Sequence, residues 1–239
     1  MRLVNEINTR MSKKNKNQIE GIENVEEVLG RTEQFIENNQ KTITYVVGFI
    51  IIIVLGYFGY NNYIYKPKVA EASASMFQAE RYFEQDSMRL ALYGDGNNYG
   101  FLYILDEYSG TPSANLANYY SGIAFLNIGE YDKAIRHLGS FSSDDIILST
   151  IAQGAIGDAL VQKGEIEKGA KQYMKAALNK KDKLNVPVIL MKAGIAFEEI
   201  GKYDKALIAY KMIQSNYSKS REARMIEKYI SKAEVLAKK

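Results

Sequence analysis

Residues 42–65 hold twenty-four positions without one charge, bracketed by Lys41 and Lys66, and no other stretch limits the fold so sharply. The centre, Val46–Leu55, reads VVGFIIIIVL and alternates with neither a helical nor a strand period. At about 1.5 Å per residue, a helix of that length crosses a hydrocarbon core of about 30 Å with some tilt. Eleven Ile, Leu, Val or Phe side chains lie between Ile43 and Tyr60. Each favours insertion by about 0.3–0.6 kcal/mol near the bilayer centre. Tyr45 stands at one end and Tyr57, Tyr60, Tyr63 and Tyr65 crowd the other, where an aromatic belt sits. A strand seldom needs so many uncharged residues, which leaves a buried core helix as the competing reading. The stretch reads as a single transmembrane helix, ended by Lys66–Pro67.

Forty-one residues precede it, too many for the n-region of a signal peptide, and the apolar run exceeds the usual 7–15 or so. A signal anchor is the simpler reading. Gly56 and Gly59 are three apart, so no small-xxx-small signal for dimerisation is present.

Residues 1–41 carry seven Lys/Arg and seven Glu. Met11–Asn17 (MSKKNKN) is polar and basic and is expected to be disordered; Met11 itself reads as an alternative start. From Ile19 on, Ile22, Val25, Leu29 and Ile36 recur near the helical period, giving a short amphipathic helix before the span. Within twenty residues of the span two basic residues precede it and three follow, which does not set its direction. The seven basic residues of the short tail do favour a cytoplasmic N-terminus, with the C-terminal domain outside.

Residues 66–239 are long enough for one domain with a sizeable core. A net charge of +3 with no basic stripe gives no case for nucleic acid. Zero cysteines exclude disulfides, thiolate zinc sites and cysteine nucleophiles. Val69–Leu92 reads as one long helix with Ala72, Met76, Ala79, Phe83 and Leu90 on one face. Tyr93–Gly100 (YGDGNNYG) is a loop whose single acidic residue, Asp95, is too few for a calcium loop. Thr111–Pro112 supply an N-cap and a first-turn proline for the next helix.

From there the chain repeats. GIAFLNIGEYDKAIRHL (122–138), GDALVQKGEIEKGAKQY (157–173) and GIAFEEIGKYDKALIAY (194–210) align with leading glycines 35 and 37 residues apart. Gly122, Gly157 and Gly194 would let the first helix of each pair (A) approach the second (B), and Phe125, Leu160 and Phe197 plug between them. Gly129, Gly164 and Gly201 end helix A in a left-handed turn. Tyr131, Ile166 and Tyr203 begin helix B, Ala134, Gly169 and Ala206 keep its packing face small, and Leu138, Tyr173 and Tyr210 close the pair.

Over 115–216 these columns resemble the tetratricopeptide repeat family, whose period is near 34 residues. The sequence departs from that pattern at Asn118, Gln153 and Leu190, where Trp or Leu is usual, and at Ser218, which replaces a proline. The resemblance implies an all-α fold, a TPR-type helical-hairpin solenoid preceded by a single transmembrane helix. Residues 69–110 read as a degenerate first unit and 219–237 as a capping helix with Ile226, Ile230 and Ala233 inward.

Function in such arrays lives on the concave face. By the alignment that face carries Leu116, Tyr119, Ile123, Leu126 and Asn127, then Asp158, Val161 and Gln162, then Val188, Met191, Ile195, Glu198 and Glu199. It lacks the Lys/Arg cluster that clamps peptide carboxylates in some cytosolic members. Apolar surfaces with Met and Tyr suit extended or incompletely folded chains. Whether the face is open or filled by the first helix is left undecided by the sequence.

Catalytic signals are sparse. His137 is the single histidine, Asp144–Asp145 read as a helix cap, and adjacent Glu198 and Glu199 point about 100° apart on a helix. No P-loop, G-x-S-x-G or dinucleotide fingerprint occurs. Neither enzymatic activity nor a cofactor or metal is expected.

The layout EQFIENNQK (33–41), GYFGYNNYIY (56–65) and ASASMFQAERYF (72–83), followed by repeats, is similar to the bacterial ancillary subunit of the Sec translocon. That resemblance implies an inner-membrane protein with a periplasmic repeat domain, a chaperone-like adaptor for the translocon, chaperones or unfolded clients. A structural scaffold for envelope complexes and a cytoplasm-facing adaptor are the rival readings.

Overall fold

The computed structural model describes residues 34–178 and 181–238; Met11–Asn17, expected to be disordered, and the amphipathic segment expected from Ile19, except for Ile36, lie outside them. The described residues form helices and no strands. They divide into two compact units, one ending at Ile64 and the other beginning at Tyr65.

In the first unit, helix α1 covers residues 34–60. Its apolar side chains, Phe49, Ile52 and Leu55 among them, are exposed. By length and composition it is able to cross a membrane, with a window of mean hydropathy 2.2. Lys66–Pro67 does not end the helical run, which extends over Gln34–Glu84. A π-helical segment, Asn61–Tyr65, shifts the hydrogen-bond ladder immediately before Pro67. The proline thus falls in the first turn of the following α-segment, where its missing N–H is tolerated.

The second unit contains α2 (Lys66–Glu84), α3 (Met88–Tyr93), α4 (Phe101–Glu107), α5 (Pro112–Asn127) and α6 (Tyr131–Ser140). It continues with α7 (Ile146–Gln162), α8 (Ile166–Ala176), α9 (Asn185–Glu199), α10 (Tyr203–Asn216), a 3-10 turn (Glu222–Met225) and α11 (Ile226–Leu236). Three hairpins, α5–α6, α7–α8 and α9–α10, repeat one construction. In each, the helix A glycine lies under the closing residue of helix B: Gly122 under Leu138, Gly157 under Tyr173, Gly194 under Tyr210. Any Cβ at these glycines would overlap that side chain, so the close approach is what selects glycine.

The turns between the paired helices are equally uniform. Gly129, Gly164 and Gly201 have φ of +81°, +89° and +71°. Around each, the next residue's N–H donates to the carbonyl five residues back, as Glu130 does to Phe125 at 2.9 Å, and the glycine N–H donates to Leu126 at 3.2 Å. This Schellman pair satisfies the last carbonyls of helix A and sets the angle at which helix B returns. Thr111 and Asp145 cap α5 and α7, the Thr111 hydroxyl accepting from Ala114 N at 3.2 Å and Asp145 Oδ1 from Ile147 N at 2.8 Å.

The positions that depart from the family pattern are matched across each hairpin. Asn118 Oδ1 lies 3.1 Å from His137 Nδ1, and Gln172 donates to Gln153 Oε1 at 2.7 Å. In the third hairpin the same pair of positions holds Leu190 and Ala209, both fully buried. At this pair of positions polar faces polar and apolar faces apolar. Phe125 and Phe197 are buried between their helices, whereas Leu160 is only half-buried.

The first helix differs from its expected course. It stops at Glu84, turns at Asp86 (φ +57°) and resumes at Met88. Ser87 N–H donates to Tyr82 and Asp86 N–H to Phe83, the same two bonds that close every later helix A. Ala79, Tyr82, Asp86, Met88 and Ala91 stand forty-three residues upstream of Gly122, Phe125, Gly129, Tyr131 and Ala134. Thus α2 is a helix A and α3 a truncated helix B. The restart rotates the apolar face, so Met88, Ala91 and Leu92 are buried and Leu90 is left 40% exposed. Asp95 organises the insert that follows, accepting from Asn97 N, Asn98 N and the Tyr82 hydroxyl at 2.9, 2.7 and 2.6 Å. At the far end Ile226, Ile230 and Ala233 of α11 are buried against the α9–α10 hairpin, closing its apolar face.

Candidate functional site

Because each helix A ends in the same turn, its last helical residues recur in rows. One row is Ile123, Asp158 and Ile195; the next is Leu126, Val161 and Glu198; the last is Asn127, Gln162 and Glu199. Across α5, α7 and α9 these rows border a groove of about 600 Å³. Leu126, Asn127, Asp158, Val161, Gln162, Ile195 and Glu199 all line it. The volume is within the range of ligand sites, and the lining mixes apolar and polar groups as such sites do.

The remaining residues expected on this face do other work. Leu116 packs on the core around Met76 of α2 and Phe101 of α4. Tyr119 and Ile123 pack with Leu138, Phe141 and Ala152, the Tyr119 ring centroid 5.4 Å from that of Phe141. Met191 joins the core of the third hairpin, and Val188 is exposed outside the groove. Apart from Val188, these side chains are taken up by packing between helices and not by the opening.

Two carboxylates on this face are used internally. Asp158 accepts from the Tyr173 hydroxyl at 2.6 Å and from Lys192 Nζ at 2.8 and 2.9 Å. Glu198 accepts from the Tyr210 hydroxyl at 3.2 Å and from Lys232 at 2.5 Å. Each lysine stands 34 residues after its carboxylate, so the pairs tie one structural unit to the next. Burial first, then the Asp158 partner, pushes the Tyr173 hydroxyl well above the ordinary phenol range; Tyr210 is raised by burial and Glu198 together. Both hydroxyls therefore stay protonated and act as donors.

Glu199 is exposed and has neither hydrogen bond nor ion pair among the described residues. Gln162 is likewise unpartnered, and Asn127 touches only Met88 Sδ, at 3.8 Å. Met88 brings the α2–α3 hairpin up to this row, but α2 and α3 contribute no lining residue, and among the described residues none fills the groove. Tyr131 and Tyr173, expected from the sequence only as hairpin packing residues, also line it, as do Lys192 and Ala196. The repeat period held the signal for Lys192, one period after Asp158 and opposite in charge.

His137 is set apart from the groove, in α6. Its ring stacks on Phe125 at 5.3 Å, and burial, with Arg136 and Lys133, holds its pKa below the ordinary value.

Neither the curated proteins nor the solved structures give a match to this chain. The family described as tetratricopeptide repeat matches residues 189–220, which span most of α9, all of α10 and the turn after it.

Proposed function

We propose that this chain is a membrane-anchored adaptor whose groove across α5, α7 and α9 binds extended segments of other proteins. The observation that carries the reading is the open row of Asn127, Gln162 and Glu199 beside Leu126, Val161 and Ile195, with no polar partner spent on Gln162 or Glu199. Tetratricopeptide repeats generally mediate protein binding, and the match at 189–220 includes one of the three helices that form the groove. Binding, not catalysis, is the role such a lining suits, since its acidic residues serve as ion-pair and recognition groups.

In this reading residues 42–65 hold the protein in a bacterial inner membrane, the tail faces the cytoplasm and the repeat domain the periplasm. The uncharged stretch 42–65 within a long helix supports the anchor, and the likeness of the chain's layout to the Sec ancillary subunit supports the compartment. Its partners are then the translocon, periplasmic chaperones or unfolded clients in transit.

The test is photocrosslinking of the full chain in native membranes, with the reactive group at Gln162 or Ile195 and, as a control, at exposed Ile208 outside the groove. Several unrelated chains captured at Gln162 and Ile195 but not at Ile208 support the adaptor. One fixed protein captured at Ile208, with nothing in the groove, would replace it with the scaffold.

A further inference from the structure

The groove's charges are not balanced. Its lining holds two carboxylates, Asp158 and Glu199, against one lysine, Lys192, and that lysine is already committed to Asp158 at 2.8 Å. Glu199 is left as an acceptor with no cation among the described residues. Beside it in the same row stand Asn127 and Gln162, whose amides each offer a donor and an acceptor, the complement of a peptide backbone. An ionised carboxylate differs from them in accepting only.

We infer that the groove selects its extended protein ligands for a Lys or Arg side chain, placed against Glu199 at the α9 end. This rests on the groove reading above and names its preference.

Neighbouring helices lie about 8–10 Å apart and an extended chain advances about 3.3 Å per residue, so about three ligand residues span each helix step. A segment of about eight residues then runs past Asn127 and Gln162 and reaches Glu199 near its far end. Between those polar contacts Leu126, Val161 and Ile195 present apolar surface. The favoured ligand is therefore an apolar stretch carrying one basic residue. An acidic residue at the same place is repelled by Glu199, and Lys192, paired with Asp158, is not free to answer it.

The experiment uses the full chain in detergent micelles and fluorescein-labelled Ser/Val/Leu peptides that carry Lys, norleucine or Glu at the position opposite Glu199. Fluorescence anisotropy at low salt is expected to show the Lys peptide binding about two- to fivefold more tightly than the norleucine peptide, and the Glu peptide more weakly. The Lys advantage is expected to shrink as salt is added. Glu199→Gln is expected to bring the Lys-to-norleucine ratio close to one, and Glu199→Lys to invert the order in favour of the Glu peptide.

Equal binding of Lys and norleucine peptides, or a ratio that Glu199→Gln does not move, overturns the preference while the groove reading stands. Absence of binding by every peptide, or binding that Ile195→Asp leaves unchanged, overturns the groove reading and the preference with it.

Discussion

The ring of Tyr173 lies against Gly157 so closely that a Cβ at residue 157 would overlap its Cδ1 and Cε1 atoms. The ring cannot swing aside, because its hydroxyl is held by Asp158 at 2.6 Å and the residue is buried. Gly157→Ala is thus expected to destabilise the repeat domain by about 1–3 kcal/mol through overpacking. Gly139, also helical, has nothing within 4 Å of where its Cβ would be. Gly139→Ala is expected to leave the domain unchanged or stabilise it by up to about 1 kcal/mol through helix propensity. Thermal unfolding followed by circular dichroism checks both; equal Tm values for the two variants would contradict the packing account.

The three complete hairpins were legible in the sequence because their geometry is chemically exclusive. Only glycine fits under Leu138, Tyr173 and Tyr210, and glycine is the usual residue at φ near +80°, so those columns show the register directly. The first hairpin uses the same geometry with other residues. Ala79 fills the close-packing position and Asp86 the left-handed one, so no glycine marks the turn and 69–92 reads as one helix. The groove was half legible for a related reason. Repeat alignment tells which face a residue is on, but not which side chains of that face are taken up by packing between helices. Ile123 and Met191 pack into hydrophobic clusters, whereas Gln162 and Glu199 border the opening.

The two inter-repeat ion pairs differ in how well water reaches them. The Asp158 side chain is 30% exposed and that of Glu198 only 9%. Removing Lys192 leaves a carboxylate that water can reach, so Lys192→Met is expected to cost less than about 1 kcal/mol, and less still at high salt. Removing Lys232 leaves Glu198 with the Tyr210 hydroxyl alone in a poorly hydrated place. Lys232→Met is expected to lower Tm by more than Lys192→Met does. The reverse order in parallel thermal melts would show that the pair at α11 does not secure the cap.

His137 gives stability a pH dependence of defined sign. Burial against Phe125, with Arg136 and Lys133 nearby, holds its pKa below the ordinary 6.5. As pH falls the unfolded chain takes up this proton before the folded one does. The stabilisation is therefore complete above 6.5 and is lost as pH falls through the folded value. Glu167 is held at about 2 by Lys202 and Lys171, well below this window, whereas burial and Glu84 raise Glu80. Between about pH 7 and 5 the wild-type Tm is expected to fall more than that of His137→Gln. Parallel slopes in the two proteins would remove His137 from the account.

Asp86 occupies, at φ +57°, the place that glycine holds at 129, 164 and 201. A residue with a Cβ meets the following carbonyl in this conformation, a strain of about 1–2 kcal/mol that is smaller for Asp than for most residues. The opposing effect is the greater unfolded-state freedom of glycine, so Asp86→Gly is expected to be stabilising by no more than about 0.5 kcal/mol. Gly164→Ala places the strain where glycine now avoids it and is expected to cost about 1 kcal/mol or more. For a domain of this size that is a fall in Tm of about 2–4 °C. If Asp86→Gly instead lowers Tm while Gly164→Ala does so by its expected amount, the Asp86 side chain contributes a contact that outweighs its backbone strain, and the first turn is not equivalent to the later three.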